Sequence, residues 1–190
     1  MKKSLRQSAL AYRNQLQPDE INGLSQQISA SLITLLQTFK PCTVGLFHPT
    51  RGEPSVLNIT NNLALAGFQW ALPVCCGSPT GPVLKFASFA AGDELEAGRY
   101  NIPVPKNKTW VQPLVLLVPC VAFHRSGARL GYGAGWYDRT LSRMPNKPVT
   151  VGVAYAFTES TDNFSEQHDE ILDFLVTERE VIAIPPSQLS

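Results

Sequence analysis

The stretch RLGYGAGWYDR (129–139) puts glycine at 131, 133 and 135, bracketed by Arg129 and by Asp138 and Arg139. Each glycine loses extra backbone freedom on folding, so this density implies a need for bare, closely approachable backbone. Two familiar phosphate loops fail on spacing. The string GxxxxGK[ST] is absent, and GxGxxG is met by Gly131 and Gly133 but broken by Trp136. The pattern predicts instead a loop that opens a helix over 135–144, whose first amides favour an anion. Arg129 and Arg139 can add charge-assisted hydrogen bonds. Asp138 opposes an anion unless a cation lies between them, and a carboxylate beside phosphate oxygens is a usual Mg²⁺ arrangement. A blander reading stands beside this one. The stretch is then a glycine-rich turn, with Tyr132, Trp136 and Tyr137 as core and Asp138 paired with an arginine.

Other charged residues invite the same two readings. Lys2, Arg6 and Arg13 fall on one face of a helix expected over 4–16. They form either a solvated face or a basic stripe docked beside phosphates. Glu53, in HPTRGEP, is either a turn residue or the partner of a ligand amide or amino group. His168 and Asp169, in SEQHDEILD, make either a helix cap or a metal contact. Cys42, Cys75, Cys76 and Cys120 contain no CxxC pair and read as reduced thiols in a cytoplasmic protein rather than as a metal site.

These residues need a scaffold. Pro18 opens a second helix over roughly 19–39, and Pro54 can start a third that ends near Gly67. TVGLF (43–47) and QWALP (69–73) read as strands, the latter closed by its proline. VLKFASF (83–89) alternates as a half-buried strand. LVLLVP (114–119) and VTVGVAYAF (149–157) are apolar throughout and suit central strands. FLVTE (174–178) and VIAIP (181–185) close the chain, and 91–112 is expected to wander over the surface. Alternating strands and helices predict one α/β domain over residues 1–190. Its mainly parallel central sheet is flanked by helices on both faces. Ligands then bind beyond the carboxyl ends of the strands, where HPTRGE and the glycine stretch both fall.

Composition narrows the class. The 190 residues are 44% hydrophobic and 16% charged, with a net charge of +1, so a nucleic-acid partner is not favoured. No run approaches the roughly 18 apolar residues of a membrane span, and the basic start lacks a secretory apolar segment. A monomer in the cytoplasm that acts on small molecules is expected.

The strings KKSLR (2–6), RGE (51–53), LVPCVAFHRSGARLGYGAGWYDR (117–139), HD (168–169) and LDFLVTE (172–178) together resemble the 5-formyltetrahydrofolate cyclo-ligase, or methenyltetrahydrofolate synthetase, family. The resemblance spans nearly the whole chain, and 117–139 is its specific part. It implies a compact α/β fold and an ATP- and Mg²⁺-dependent closure of 5-formyltetrahydrofolate to 5,10-methenyltetrahydrofolate. Carried over by position, Lys2, Lys3, Ser4, Leu5 and Arg6 would contact ATP. So would Arg129, Leu130, Gly131, Tyr132, Gly133, Ala134, Gly135, Trp136 and Tyr137. The segment from Tyr132 to Trp136 would also face the folate, with Glu53 and His48 on the pterin. Asp138 and Asp169 would hold Mg²⁺, and Arg129 and Asp138 would act in catalysis. Ala134 stands where relatives commonly have Gly or Lys, and Trp136 where Tyr is frequent. Two rival classes are a sugar-phosphate isomerase-like enzyme on a similar scaffold and a non-catalytic nucleotide- or folate-binding module. Folate-dependent ATP consumption separates them.

Overall fold

A computed structural model describes residues 1–77, 81–166 and 169–185 of the chain. Helix α1 (Lys2–Arg13) and helix α2 (Pro18–Leu36) come first. The α1 run KKSLRQSALAYR lacks Gly and Pro and is rich in good helix formers. Pro18 occupies the first turn of α2, where its missing N–H is harmless. The Gln17 amide donates to Glu20 Oε2 at 2.8 Å, and Asp19 and Glu20 complement the helix dipole.

The strands in chain order are β1 (Thr43–Gly45), β2 (Gln69–Cys76), β3 (Val83–Phe89), β4 (Leu95–Ala97), β5 (Pro103–Pro105) and β6 (Trp110–Val111), then β7 (Val115–Pro119), β8 (Ala122–Phe123), β9 (Arg129–Leu130), β10 (Val149–Val153), β11 (Phe174–Val176) and β12 (Val181–Ala183). Eight of them form one sheet in the order β12-β11-β10-β7-β1-β2-β3-β6. The pairs from β11 through β10, β7 and β1 to β2 are parallel, while β12, β3 and β6 join antiparallel. The five-residue apolar run of β7 sits mid-sheet, as its burial on both faces requires. Its side chains alternate between two cores. Val115 and Leu117 join Val44, Val151 and Val153 against Ile28, Leu32, Leu35 and Leu36 of α2. Leu116 and Val118 join Phe86 and Leu175 against Trp136, Tyr137 and Leu141 of the short helix α3 (Trp136–Leu141). The layers are thus unequal, nineteen helical residues against six.

Several expected elements differ. No third helix runs from Pro54 to Gly67; two 3₁₀ turns, Leu57–Asn61 and Leu63–Leu65, stand there instead. Side chains compete for that backbone. Thr60 Oγ1 donates to Leu57 O at 2.7 Å, and Asn62 Oδ1 accepts from the Ala64 amide at 2.9 Å. Pro73 does not close β2, which continues to Cys76. The Gln69 amide donates toward β1, at Cys42 O, and strand alternation turns position 73 the same way. β1 pairs only with residues 69–71, so Pro73 lies past the neighbour its missing N–H would serve. The strand predicted over 149–157 stops at Val153, and a 3₁₀ turn, Ala156–Thr158, follows. Residues 91–112 are partly ordered as the β4–β5 ribbon and the edge strand β6.

The topology places the site. From β1 the chain moves to its β2 side; from β7 it moves to the β10 side. β1 and β7 are adjacent, so the loops leaving their carboxyl ends diverge over a switch point, where open α/β sheets take ligands. Among the described residues, no helix is long and apolar enough to cross a membrane.

Candidate active site

A cleft of about 950 Å³ opens at this switch point, within the size range of ligand pockets. Four segments supply most of its lining, with Asp169 and Glu170 beside them. The loop after β1 contributes Phe47, His48, Thr50, Arg51 and Glu53, and α1 contributes Lys2 and Arg6. The β4–β5 ribbon contributes Arg99, Tyr100, Ile102 and Val104, and the chain leaving the β8–β9 hairpin supplies 129–139. Six basic side chains (Lys2, Arg6, Arg51, Arg99, Arg129, Arg139) face four carboxylates (Glu53, Asp138, Asp169, Glu170), which leaves the lining net positive.

The glycine loop is bare for different reasons at different positions. Gly133 (φ +94°) and Gly135 (φ +61°) hold left-handed backbone that L side chains rarely adopt. A Cβ on Gly131 would meet nothing within 4 Å, so its bareness keeps space open in the cleft. Among the described residues, none of the backbone amides of 131–135 donates a hydrogen bond. Residues 131–135 all line the cleft, and unpaired main-chain amides there are open to an anion.

Helix α1 closes over this loop. Arg6 Nε donates to Gly131 O at 2.7 Å, and a Cβ on Gly133 would lie 3.5 Å from the Arg6 guanidinium carbon. Lys2 Nζ meets Asp169 Oδ2 at 2.7 Å and Glu166 Oε2 at 3.2 Å. Lys3 and Ser4 are exposed and outside the cleft lining, while Leu5 packs beside Ala9, Val121 and Leu130. Arg13 does not lie on a solvated face. It is 1% exposed, and it donates to Tyr132 Oη at 3.1 Å and to Cys120 O at 2.9 Å.

Glu53, only 4% exposed, lies at the inner end. Its Oε1 accepts from the Tyr132 hydroxyl at 3.0 Å, and its Oε2 from the Thr50 amide at 2.9 Å. Burial pushes its carboxyl above the ordinary range; the Thr50 amide, the Arg13 charge, the Tyr132 hydroxyl and the Arg51 charge oppose that. Arg51 and Gly52 both take left-handed backbone, at φ 49° and 71°. Gly52 O accepts from the Tyr155 hydroxyl at 3.1 Å, which fixes the turn that presents Glu53. His48 lines the cleft, its Nδ1 3.3 Å from Pro49 O.

The arginines around Asp138 are arranged otherwise than the spacing suggests. Arg129, with a side chain 5% exposed, pairs with Asp138 Oδ1 at 2.6 Å and donates to Glu170 O. It braces the wall rather than reaching into the cleft. Arg139 does not pair with Asp138; it donates to Ala134 O and, at 3.2 Å, to Pro82 O. Arg99 and Arg139 both approach the Trp136 ring, their guanidinium carbons 5.3 and 5.9 Å from its centroid. Tyr137 packs into the core while also lining the cleft. The two carboxylates expected on Mg²⁺ are each engaged, Asp138 by Arg129 and Asp169 by Lys2. Among the described residues no group of three or more His, Cys, Asp or Glu could hold a metal. Asp138 retains a fit to Mg²⁺ all the same. Both of its hydrogen bonds, from Arg129 and from the Glu170 amide at 3.3 Å, fall on Oδ1, so Oδ2 remains as a hard oxygen donor. His168 lies outside the described residues.

Arg51, Arg99 and Tyr100 line the cleft without having been singled out as binding residues, and Arg13 supports it from behind rather than beside phosphates. Arg13 carried a signal, its register with Lys2 and Arg6. Arg99 and Tyr100 carried none, because the ribbon that delivers them has no periodicity of its own.

A family model described as "5-formyltetrahydrofolate cyclo-ligase family" matches residues 1–178. The 5-formyltetrahydrofolate cyclo-ligase of Escherichia coli K12 is 34% identical over 149 residues, covering 75% of this chain and 81% of that protein. The Haemophilus influenzae enzyme of the same name is 30% identical over 159 residues, covering 80% and 84%. The solution structure of Aquifex aeolicus 5,10-methenyltetrahydrofolate synthetase superimposes with a TM-score of 0.80 at 28% identity, covering 100% of this chain and 95% of that one.

Proposed function

The chain belongs to the 5-formyltetrahydrofolate cyclo-ligase family, and from that premise we propose that it uses ATP to close 5-formyltetrahydrofolate to 5,10-methenyltetrahydrofolate, releasing ADP and phosphate. The observation that carries the ATP half is the run of unpaired amides at 131–135 under Arg6. The observation that supports the folate half is the buried acceptor Glu53 at the other end of the same cleft.

The chemistry asks for such a site. A formamide carbon is a poor electrophile because its nitrogen feeds the carbonyl. The formyl oxygen attacks the γ-phosphorus of ATP, the bond to the bridging oxygen breaks, and ADP leaves. The resulting iminium phosphate is attacked at carbon by N10, which gives up its proton; phosphate then departs and the five-membered ring is closed. Phosphoryl transfer of this kind depends on positioning and charge neutralisation rather than on a protein nucleophile. Amides 131–135 hold phosphate oxygens. Arg6, with Nε committed to Gly131 O, offers its two Nη groups. Arg129 keeps Asp138 in place. Asp138 would hold Mg²⁺, which would offset charge on the transferred group. Glu53 accepts hydrogen bonds from the pterin amide and amino groups, and Trp136 and Tyr132 wall the folate. An isomerase leaves the basic α1 segment without a role, whereas a non-catalytic module differs from the proposal in turnover alone.

The test is methenyltetrahydrofolate formation followed by absorbance, with ATP and Mg²⁺ each supplied or withheld. Product that forms only with ATP supports the proposal. ATP-independent product, or ATP binding without turnover, overturns it.

A further inference from the structure

Arg13 is the odd residue of the basic helix stripe. Lys2 and Arg6 reach the cleft, but Arg13 is 1% exposed and lies behind the cleft wall. Its guanidinium makes two hydrogen bonds of unlike kind. Nη2 holds Cys120 O at 2.9 Å, which anchors it to the chain leaving β7. Nη1 donates to Tyr132 Oη at 3.1 Å, and that hydroxyl spends its own proton on Glu53 Oε1 at 3.0 Å. The Glu53 carboxylate can only accept, so the hydroxyl proton goes to it, and the Arg13 donor on the phenol oxygen holds that oxygen in place. The Arg13 guanidinium also lies 5.8 Å above the Tyr155 ring, and the Tyr155 hydroxyl holds Gly52 O. One buried cation therefore touches both arms that fix Glu53, the hydroxyl on its carboxylate and the ring that holds its turn. A buried arginine is costly unless it is paired, and Nε lacks a partner. A structural anchor for the Cys120 carbonyl alone would not need a charge.

We infer that Arg13 is a positioning residue for the folate end of the site, orienting the Tyr132 hydroxyl toward Glu53 and keeping the Glu53 carboxylate charged so that it accepts two hydrogen bonds from the pterin. The inference rests on the reading that Glu53 takes the pterin. Among charged side chains, Arg13 is the strongest influence holding the Glu53 carboxyl down, ahead of Arg51. The other groups that feel Glu53 are Tyr132, Tyr137, Tyr155 and Cys120, and burial pushes each of them up, so they remain neutral. His48 shares the wall of the cleft. An opposite charge near a carboxyl lowers its pKa, so losing Arg13 moves the Glu53 midpoint up.

The experiment measures the Kd of 5-formyltetrahydrofolate and of ATP by calorimetry from pH 6 to 9. The proteins are wild type, Arg13→Met, Arg13→Lys, Tyr132→Phe, Glu53→Gln and the double variant Arg13→Met with Glu53→Gln, each shown folded by circular dichroism. In Arg13→Met, folate affinity is expected to fall about tenfold per pH unit below a midpoint higher than that of wild type, with ATP affinity within about twofold of wild type. Arg13→Lys, which keeps the charge, restores the midpoint, and Tyr132→Phe moves it less than Arg13→Met. The double variant loses the pH dependence that Arg13→Met introduces, because no titrating carboxyl remains. His48 is present in every protein, so its contribution cancels in these comparisons. If Glu53→Gln weakens folate binding but Arg13→Met keeps the wild-type midpoint, Arg13 has no such role. If Glu53→Gln leaves folate affinity intact, it is the pterin assignment that fails. Should Arg13→Met not fold, Arg13→Lys and Tyr132→Phe decide: a Tyr132→Phe midpoint equal to wild type overturns the relay.

Discussion

Asp138 offers the sharpest separation of a wall brace from a working carboxylate. Asp138→Asn keeps the size and one oxygen acceptor but removes the charge. Its Oδ1 accepts from Arg129 at 2.6 Å and from the Glu170 amide at 3.3 Å. A hydrogen bond to a charged group contributes about 1.5–3 kcal/mol and a neutral one about 0.5–1.5, so neutralising Asp138 costs about 1–2 kcal/mol of stability. In a chain of this size each kcal/mol shifts Tm by about 2–4 °C, so a drop of about 2–8 °C is expected. That loss follows from the ion pair whether or not the carboxylate works in catalysis. Catalysis predicts more. If Oδ2 carries Mg²⁺ beside the phosphates, removing one well-placed electrostatic group lowers turnover by about 10²–10³-fold. Half-maximal rate then also requires more Mg²⁺. The assay is initial rate of methenyltetrahydrofolate formation against Mg²⁺ concentration, at a temperature where the variant is fully folded. A lowered Tm with wild-type turnover and a wild-type Mg²⁺ curve would refute the metal role and leave Asp138 as the partner of Arg129.

Three further outcomes are expected. Arg6→Ala raises the KM for ATP more than the KM for folate, because its Nε holds Gly131 O at 2.7 Å over the amide run; equal changes in both would remove Arg6 from the phosphate end. Burial raises the folded-state pKa of Glu53 above its ordinary value of 4.5. Between that value and the raised one the folded chain binds more protons than the unfolded, so stability falls as pH rises through the window; Glu53→Gln removes that fall, as urea titrations at several pH values would show. Gly152→Ala places a Cβ 2.5 Å from Leu172 Cδ1 and 2.7 Å from Leu175 Cδ2. Such overpacking costs about 1–3 kcal/mol, and an unchanged urea midpoint would contradict the packing described for β10.

What could be read from the sequence is what depends on near neighbours along the chain. The apolar run 115–119 dictates a strand buried on both faces, because no surface position tolerates it. Pro18 sets the start of α2, and the spaced glycines at 131, 133 and 135 mark a bare loop after a strand, whatever the rest of the fold does. The strings shared with the cyclo-ligase family carry the expected class of chemistry. Other features depend on partners distant in sequence. Asp138 pairs with Arg129 rather than adjacent Arg139 because the β8–β9 hairpin turns Arg129 inward, while Arg139 is drawn to Ala134 O and Pro82 O. The helix face bearing Lys2, Arg6 and Arg13 reads the same whether it meets water or protein. Only the docking of α1 across the loops after β1 and β7 brings Arg13 to Tyr132, 119 residues away, and Tyr132 to Glu53, 79 residues away. Charge signs and spacings are local properties of a chain, whereas desolvation and pairing belong to the environment that folding builds around each group. The sequence therefore carried the residue types of the site, and the tertiary structure decided which of those charges are spent on each other and which face the cleft.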